Sequence, residues 1–165
     1  GYGLARQGYP VRGLFSIPFV GLSSNGIPMY NINGKITSTD IDFQTRDNID
    51  YLKYEGPTDP TLTGSFGNIF TYKAFKLNVF ITYSFGNVVR LNPCFNYQYS
   101  DLSSMPREFK NRWTVPGDEK HTNIPAIISK RQYEDNKDLM YAYNAYNYST
   151  ERIAKGDFIR MKEIS

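Results

Sequence analysis

Tyr141, Tyr143, Tyr146 and Tyr148 crowd into a short stretch near one end of this 165-residue chain. With Trp113, its single tryptophan, they are the clearest means it has of recognising another molecule. A ring that carries a hydroxyl or an indole N–H suits stacking on a sugar face or contact with a peptide, so these residues are candidate ligand contacts. The same rings can instead pack a loop onto its neighbours or onto a partner protein, because aromatics are enriched at both kinds of surface. No other group competes as a site. His121 follows Asp118-Glu119-Lys120 but is the only histidine, and its spacing matches no zinc or nucleophile motif, which leaves a surface turn. Asp40, Asp42, Asp47 and Asp50 lack the glycine and terminal glutamate of a calcium loop and read as a solvated acidic stretch. Cys94 is the only cysteine, so within these residues there is no disulfide, cysteine metal cluster or CxxC pair, and packing is its expected role. Carboxylates abound, yet no spacing fixes two of them facing each other as a glycosidase pair would need. No catalytic residue, metal site or cofactor is expected.

The elements that must carry these rings are strands and loops. Charged residues are 21% and aromatics 16%, with 14 Tyr and 11 Phe, while 13 Gly and 9 Pro punctuate the whole chain; this is an all-β, loop-rich composition. No apolar run approaches the length of a membrane helix, and the mean hydropathy is -0.51. That average does not exclude a barrel, since alternation hides a lipid-facing side from any sliding window. The charge of +3 is scattered without a basic stripe, so nucleic acid is not an expected partner.

Residues Gly64 to Asn87, GSFGNIFTYKAFKLNVFITYSFGN, hold two runs of alternating polarity around a tight turn. In the second, Leu77, Val79, Ile81, Tyr83 and Phe85 fall on one face and Lys76, Asn78, Thr82 and Ser84 on the other, with Phe80 breaking the pattern. Phe75 to Phe85 meets the roughly 9 to 11 residues a tilted membrane strand needs, against about 5 or 6 in a soluble sheet. The first five are therefore expected to face lipid, although a half-buried soluble strand has a similar pattern. In the preceding run Phe66, Asn68, Phe70 and Tyr72 share the outward face and Gly67, Ile69, Thr71 and Lys73 the inward one. A turn at Lys73, Ala74, Phe75 and Lys76 forces an antiparallel hairpin.

Elsewhere, Met29 to Ile32 and Lys35 to Thr39 are expected to pair across Asn33-Gly34. Gly56-Pro57 and Asp59-Pro60 break regular structure before the long hairpin, and its second strand is expected to run on through Val88 to Leu91 until Pro93. The next 65 or so residues show no convincing strand, far beyond an ordinary connection, which suggests a functional extracellular loop. Within it, short helices are predicted over Pro106 to Trp113 and Asn136 to Asn147, the latter capped by Asp135 or Asn136. Asn147-Tyr148-Ser149 also fits a glycosylation sequon. The expected organisation is a turn-rich segment over 1–63, a transmembrane hairpin over 64–91, the loop over 92–156 and the start of another barrel strand over 157–165.

Three blocks carry a family resemblance: DPTLTGSFGNIFTYKAFKLNVFITYSFGN, then RWTVPGDEKHTNIPAI, then STERIAKGDFIRMKEIS. In this order they resemble the C-terminal part of the SusC/RagA family of TonB-linked outer-membrane transporters. Upstream, GYPVRGLFSIPFVGL and NGIPMYNINGKI are similar to the stretch that precedes this hairpin in the family. Arg112-Trp113 and Pro116-Gly117-Asp118 resemble a family element whose role is equally well structural, with Gly117 permitting a turn and Asp118 bonding its own backbone. The resemblance implies a fragment of a large transmembrane β-barrel, about 22 antiparallel strands around a plugged lumen, in the bacterial cell outer membrane. It also implies uptake of an oligosaccharide or peptide, captured with a SusD-like surface lipoprotein and driven by the TonB complex through regions outside this fragment. A secreted β-sandwich module presenting the tyrosine-rich loop to glycans is the competing expectation, and it requires more alternating strands than are visible.

Overall fold

The computed structural model describes residues 6–39, 41, 50–95 and 105–164. Asp40, Asp42 and Asp47 lie outside them. The strands are β1 (Gly13–Ser16), β2 (Phe19–Leu22), β3 (Pro28–Ile32), β4 (Lys35–Thr37), β5 (Lys53–Pro57), β6 (Leu62–Tyr72), β7 (Phe75–Phe85), β8 (Val88–Arg90), β9 (Ile153–Lys155) and β10 (Phe158–Ile164); two helices, α1 (Lys130–Asp135) and α2 (Lys137–Asn147), lie between β8 and β9. The fold is mostly antiparallel β-sheet with few helices. Two compact units are each built from separated segments. One comprises Gly1–Phe15, Tyr54–Val89 and Ala154–Ser165, the other Ser16–Lys53 and Arg90–Ile153.

The first unit is dominated by a three-stranded sheet in the order β10-β7-β6. β6 and β7 are each 11 residues long and pair in unbroken register from Leu62 opposite Phe85 to Tyr72 opposite Phe75. The turn is therefore Lys73-Ala74 alone, two residues shorter than the sequence suggests, and Lys73 takes a left-handed φ of 52°. The second strand does not run straight on. Gly86 at φ 88° breaks it, and β8 pairs with β9 in a separate two-stranded sheet. The break is held by the Gly86 N–H donating to Asp157 Oδ1 at 2.8 Å and the Gly156 N–H donating to the Asn87 carbonyl at 2.9 Å.

The second unit has a core of Ile17, Tyr30, Ile41, Ala142, Ala145 and Tyr146. Ala142 and Ala145 are fully buried, and their small side chains let α2 approach β3 closely enough for the Tyr30 hydroxyl to donate to the Ala142 carbonyl at 2.6 Å. The sheet order is β2-β3-β4. The Asn33-Gly34 hairpin forms as expected, both residues at positive φ (52° and 86°) as a type I′ turn requires, with β4 ending at Thr37. Helix α2 starts where predicted, its cap Asn136 accepting from the Asp138 N–H at 3.1 Å. Pro106 to Trp113 contains a 3-10 turn, Arg107–Asn111, rather than an α-helix.

Candidate functional site: a two-faced sheet and a tyrosine-bearing loop module

Residues directly opposite one another in an antiparallel sheet lie on the same face. The register of β6 and β7 therefore puts Leu62, Phe66, Phe70 and Tyr72 beside Phe85, Ile81, Leu77 and Phe75, with Asn68 beside Val79. From the other side, β10 adds Ile159 opposite Tyr83 and Met161 opposite Ile81. The five residues Leu77, Val79, Ile81, Tyr83 and Phe85 are thus the centre line of one apolar face three strands wide. That face is uncovered: Phe66 is 57% exposed, Phe70 54%, Ile159 68% and Met161 54%. The reverse face carries Thr63, Ser65, Thr71, Lys76, Asn78, Thr82, Ser84 and Arg160, with Ile69, Phe80 and Phe158 among them.

Two glycine–aromatic pairs fix this hairpin. Tyr83 lies over Gly64 so closely that a Cβ there would collide with the ring, and on the reverse face Phe80 lies over Gly67, where a Cβ would sit 3.0 Å from the ring. Phe80, the one residue that breaks the alternation, therefore covers bare backbone opposite itself, and the Lys162 ammonium stands 6.0 Å from its ring centre. A bulge in β10 has a related effect on phase. The register shifts between Met161 and Glu163, so that Glu163 stands opposite Phe80 and Ile164 opposite Val79.

The aromatic candidates of the second unit separate sharply. Tyr143 and Tyr146 are buried, the former donating to the Ala126 carbonyl at 2.7 Å and the latter to the Asn123 carbonyl at 3.1 Å. Burial raises both phenols well above their ordinary range. Phe95 meets their rings edge-on at 4.8 and 5.4 Å. They are part of the packing of this module and present no ring to solvent, while Tyr146 also lines an internal cavity. Trp113 is half-buried: its indole N–H donates to Glu119 Oε2 at 3.1 Å, and its ring covers Gly26, where φ is 74° and a Cβ would lie 2.6 Å away. Tyr141 is 46% exposed, and Tyr148 is also at the surface with the Arg90 guanidinium 5.1 Å from its ring centre. Of the expected set, only Tyr141 and Tyr148 present rings to solvent.

The Pro-Gly-Asp element is a self-bonded turn. Asp118 Oδ2 accepts from the N–H groups of Thr114 and Val115 at 3.0 and 3.1 Å and from the Thr114 hydroxyl at 2.9 Å, which holds its carboxyl below the usual range. His121 closes that turn through its N–H to the Asp118 carbonyl. Among the described residues no cluster of His, Cys, Asp or Glu could hold a metal ion. Sequence reasoning missed Asn147, whose Oδ1 accepts from the N–H groups of Cys94 and Phe95 at 2.9 and 3.1 Å while its amide donates to the Phe95 carbonyl at 2.9 Å. Its side chain is buried and ties the start of this loop to the end of α2.

No helix among the described residues is long and apolar enough to cross a membrane. No protein-family model matches the chain, and no curated protein matches it. Among solved structures it is similar to one described as the RagAB peptide importer in the "open-open" state, with a TM-score of 0.54 and 16% identity over 91% of this chain. It spans only 15% of the length of that solved chain. At such identity the likeness concerns the fold.

Proposed function

We propose that the chain is part of the wall and one external loop of an outer-membrane nutrient importer of the SusC/RagA kind. Its β6, β7 and β10 cross the bilayer, and residues 92–156 form the long extracellular loop. The observation that carries this reading is the uncovered apolar face, kept in register over three strands and backed by a mainly polar one. Eleven residues at about 3.3 Å each extend roughly 35 Å, and at a tilt near 45° they climb about 25 Å, the height of the apolar band on a transmembrane barrel. Tyr72 and Phe75 mark one end of the band and Tyr83 and Phe85 the other, as interfacial aromatics do. Leu77, Val79, Ile81, Tyr83 and Phe85 contact acyl chains in this account, and the Lys73-Ala74 turn is of the short kind found on the periplasmic side.

The transported cargo is a peptide or oligosaccharide, taken up with a SusD-like surface lipoprotein and powered by the TonB complex through parts of the protein outside these residues. The likeness to an importer of peptides supports the peptide alternative. The chain performs no covalent chemistry and uses no cofactor in this reading. A secreted β-sandwich would need a second sheet over the apolar face, and the exposure of Phe66 and Ile159 speaks against one.

The test is a pair of substitutions in the full-length protein. Ile81→Arg puts a cation at mid-depth on the lipid face, a cost of about 2 to 4 kcal/mol, and is expected to deplete heat-modifiable barrel from outer membranes. Thr82→Arg, one residue away on the reverse face, should assemble normally. Equal assembly of both variants would sink the membrane assignment.

A further inference from the structure

A cavity of about 220 Å³ lies within the second unit, walled by Leu91, Phe109, Ile124 and Tyr146, with Glu108, Glu151 and Arg152 supplying its charges. The ion pair is internal to the site. Arg152 is buried, Nη1 donating to Glu108 Oε1 at 2.5 Å and Nη2 to the Asn92 carbonyl at 2.8 Å; Glu108 matches its charge, while its Nε–H has no hydrogen-bond partner among the described residues. Glu151 is exposed and has no ion-pair partner among the described residues. Two carboxylates against one guanidinium leave a single uncompensated negative charge beside apolar walls. An anionic guest would meet that charge without a free cation to answer it, and a wholly apolar guest would leave it unused. The room suits a group of several heavy atoms, since one water accounts for about 30 Å³ of liquid.

We propose that this cavity binds a primary ammonium carried on a short apolar stem, the stem against Leu91, Phe109 and Ile124 and the ammonium at Glu151. The site stands on its own geometry and does not depend on the importer reading. Binding is a simple association with no bond made or broken. Arg152 holds Glu108 in place and keeps it from competing for the ammonium, which leaves Glu151 as the recognising carboxylate.

Cys94 also lines the cavity and provides the readout. Burial pushes its thiol up to about 11, so labelling by methyl methanethiosulfonate is slow and measurable at mildly alkaline pH. The experiment follows that labelling by peptide mass spectrometry in the full-length protein, with isoamylamine, isoamyl alcohol or isovalerate as isosteric cationic, neutral and anionic probes. Isoamylamine should slow labelling roughly tenfold at about ten times its Kd, because the rate follows the empty fraction. The alcohol and the carboxylate should leave the rate unchanged. Glu151→Gln should lose the protection, and Ile124→Trp, which fills the cavity, should make the rate insensitive to all three. Equal protection by the three probes, no protection by any, or protection that survives Glu151→Gln would each overturn the proposal. Heat-modifiability measured on the same samples reports barrel assembly, so failure of the membrane reading and failure of this site are separately visible.

Discussion

The two units of this chain put the same kinds of side chain to opposite use. In the strand unit, Phe66, Phe70, Ile159 and Met161 are more than half exposed and gather on one face by register alone. In the second unit, Tyr30, Tyr143 and Tyr146 are buried against alanines and Phe95, with every hydroxyl spent on a backbone carbonyl. An aromatic ring is therefore no indicator of environment by itself. Its spacing is: a period of two over 11 residues assembles a surface, whereas α2 places Ala142, Tyr143, Ala145 and Tyr146 inward to make a core.

This contrast can be broken by substitution, most severely in the second unit. Tyr143→Ala should cost about 3 to 5 kcal/mol of local stability, the range for truncating a large buried aromatic. Hydrogen exchange over 90–153 would then rise, while the β6–β7 hairpin keeps its protection. Gly26→Ala comes next, since it opposes a positive φ and drives a methyl into Trp113; a loss of about 1 to 3 kcal/mol is expected, read as faster proteolysis of the same segment. Tyr146→Phe removes only the hydrogen bond to the Asn123 carbonyl and should cost about 1 kcal/mol. A Tyr146→Phe effect as large as Tyr143→Ala would mean that the hydroxyl, not the ring, organises the module.

The smallest effect is a matter of pH. Asp118 has its pKa depressed by the hydrogen bonds it accepts, first from the Thr114 N–H, so the stabilisation is fully present above the ordinary carboxylate range. It is lost as pH falls through the lowered folded value. Exchange at the Thr114 and Val115 amides should therefore accelerate on strong acidification in the native chain. Asp118→Asn should show that faster exchange already at neutral pH, with no further acid step. A turn equally protected across the whole range would contradict the role given to this carboxylate.

The strand unit was legible because its information is local. Alternation from Phe75 to Phe85, the matching run before it and the short connection between them give face and pairing together, and even Phe80 has its reason two strands wide, in Gly67. The Asn33-Gly34 hairpin and the Asn136 cap were legible for the same reason. Helix α1 went unread although its capping box, Ser129 with Gln132, stands in the sequence, because no apolar period follows it. The tyrosine roles were not legible. Whether Tyr141 or Tyr143 meets solvent depends on which side of α2 lies on β3, and that contact joins residues more than a hundred positions apart, as Tyr30 and Ala142 are. The cavity was hidden likewise, since Glu108 and Arg152 meet only in the folded module.

The most direct measurement is site-by-site accessibility along β7 in the full-length protein reconstituted in lipid, with a spin label at each position from Leu77 to Ser84. Oxygen collision rates should peak at positions 77, 79, 81 and 83, and a water-soluble nickel chelate should peak at 78, 80, 82 and 84. A flat profile, or one with the two reagents in phase, would contradict the claim that this strand separates lipid from water.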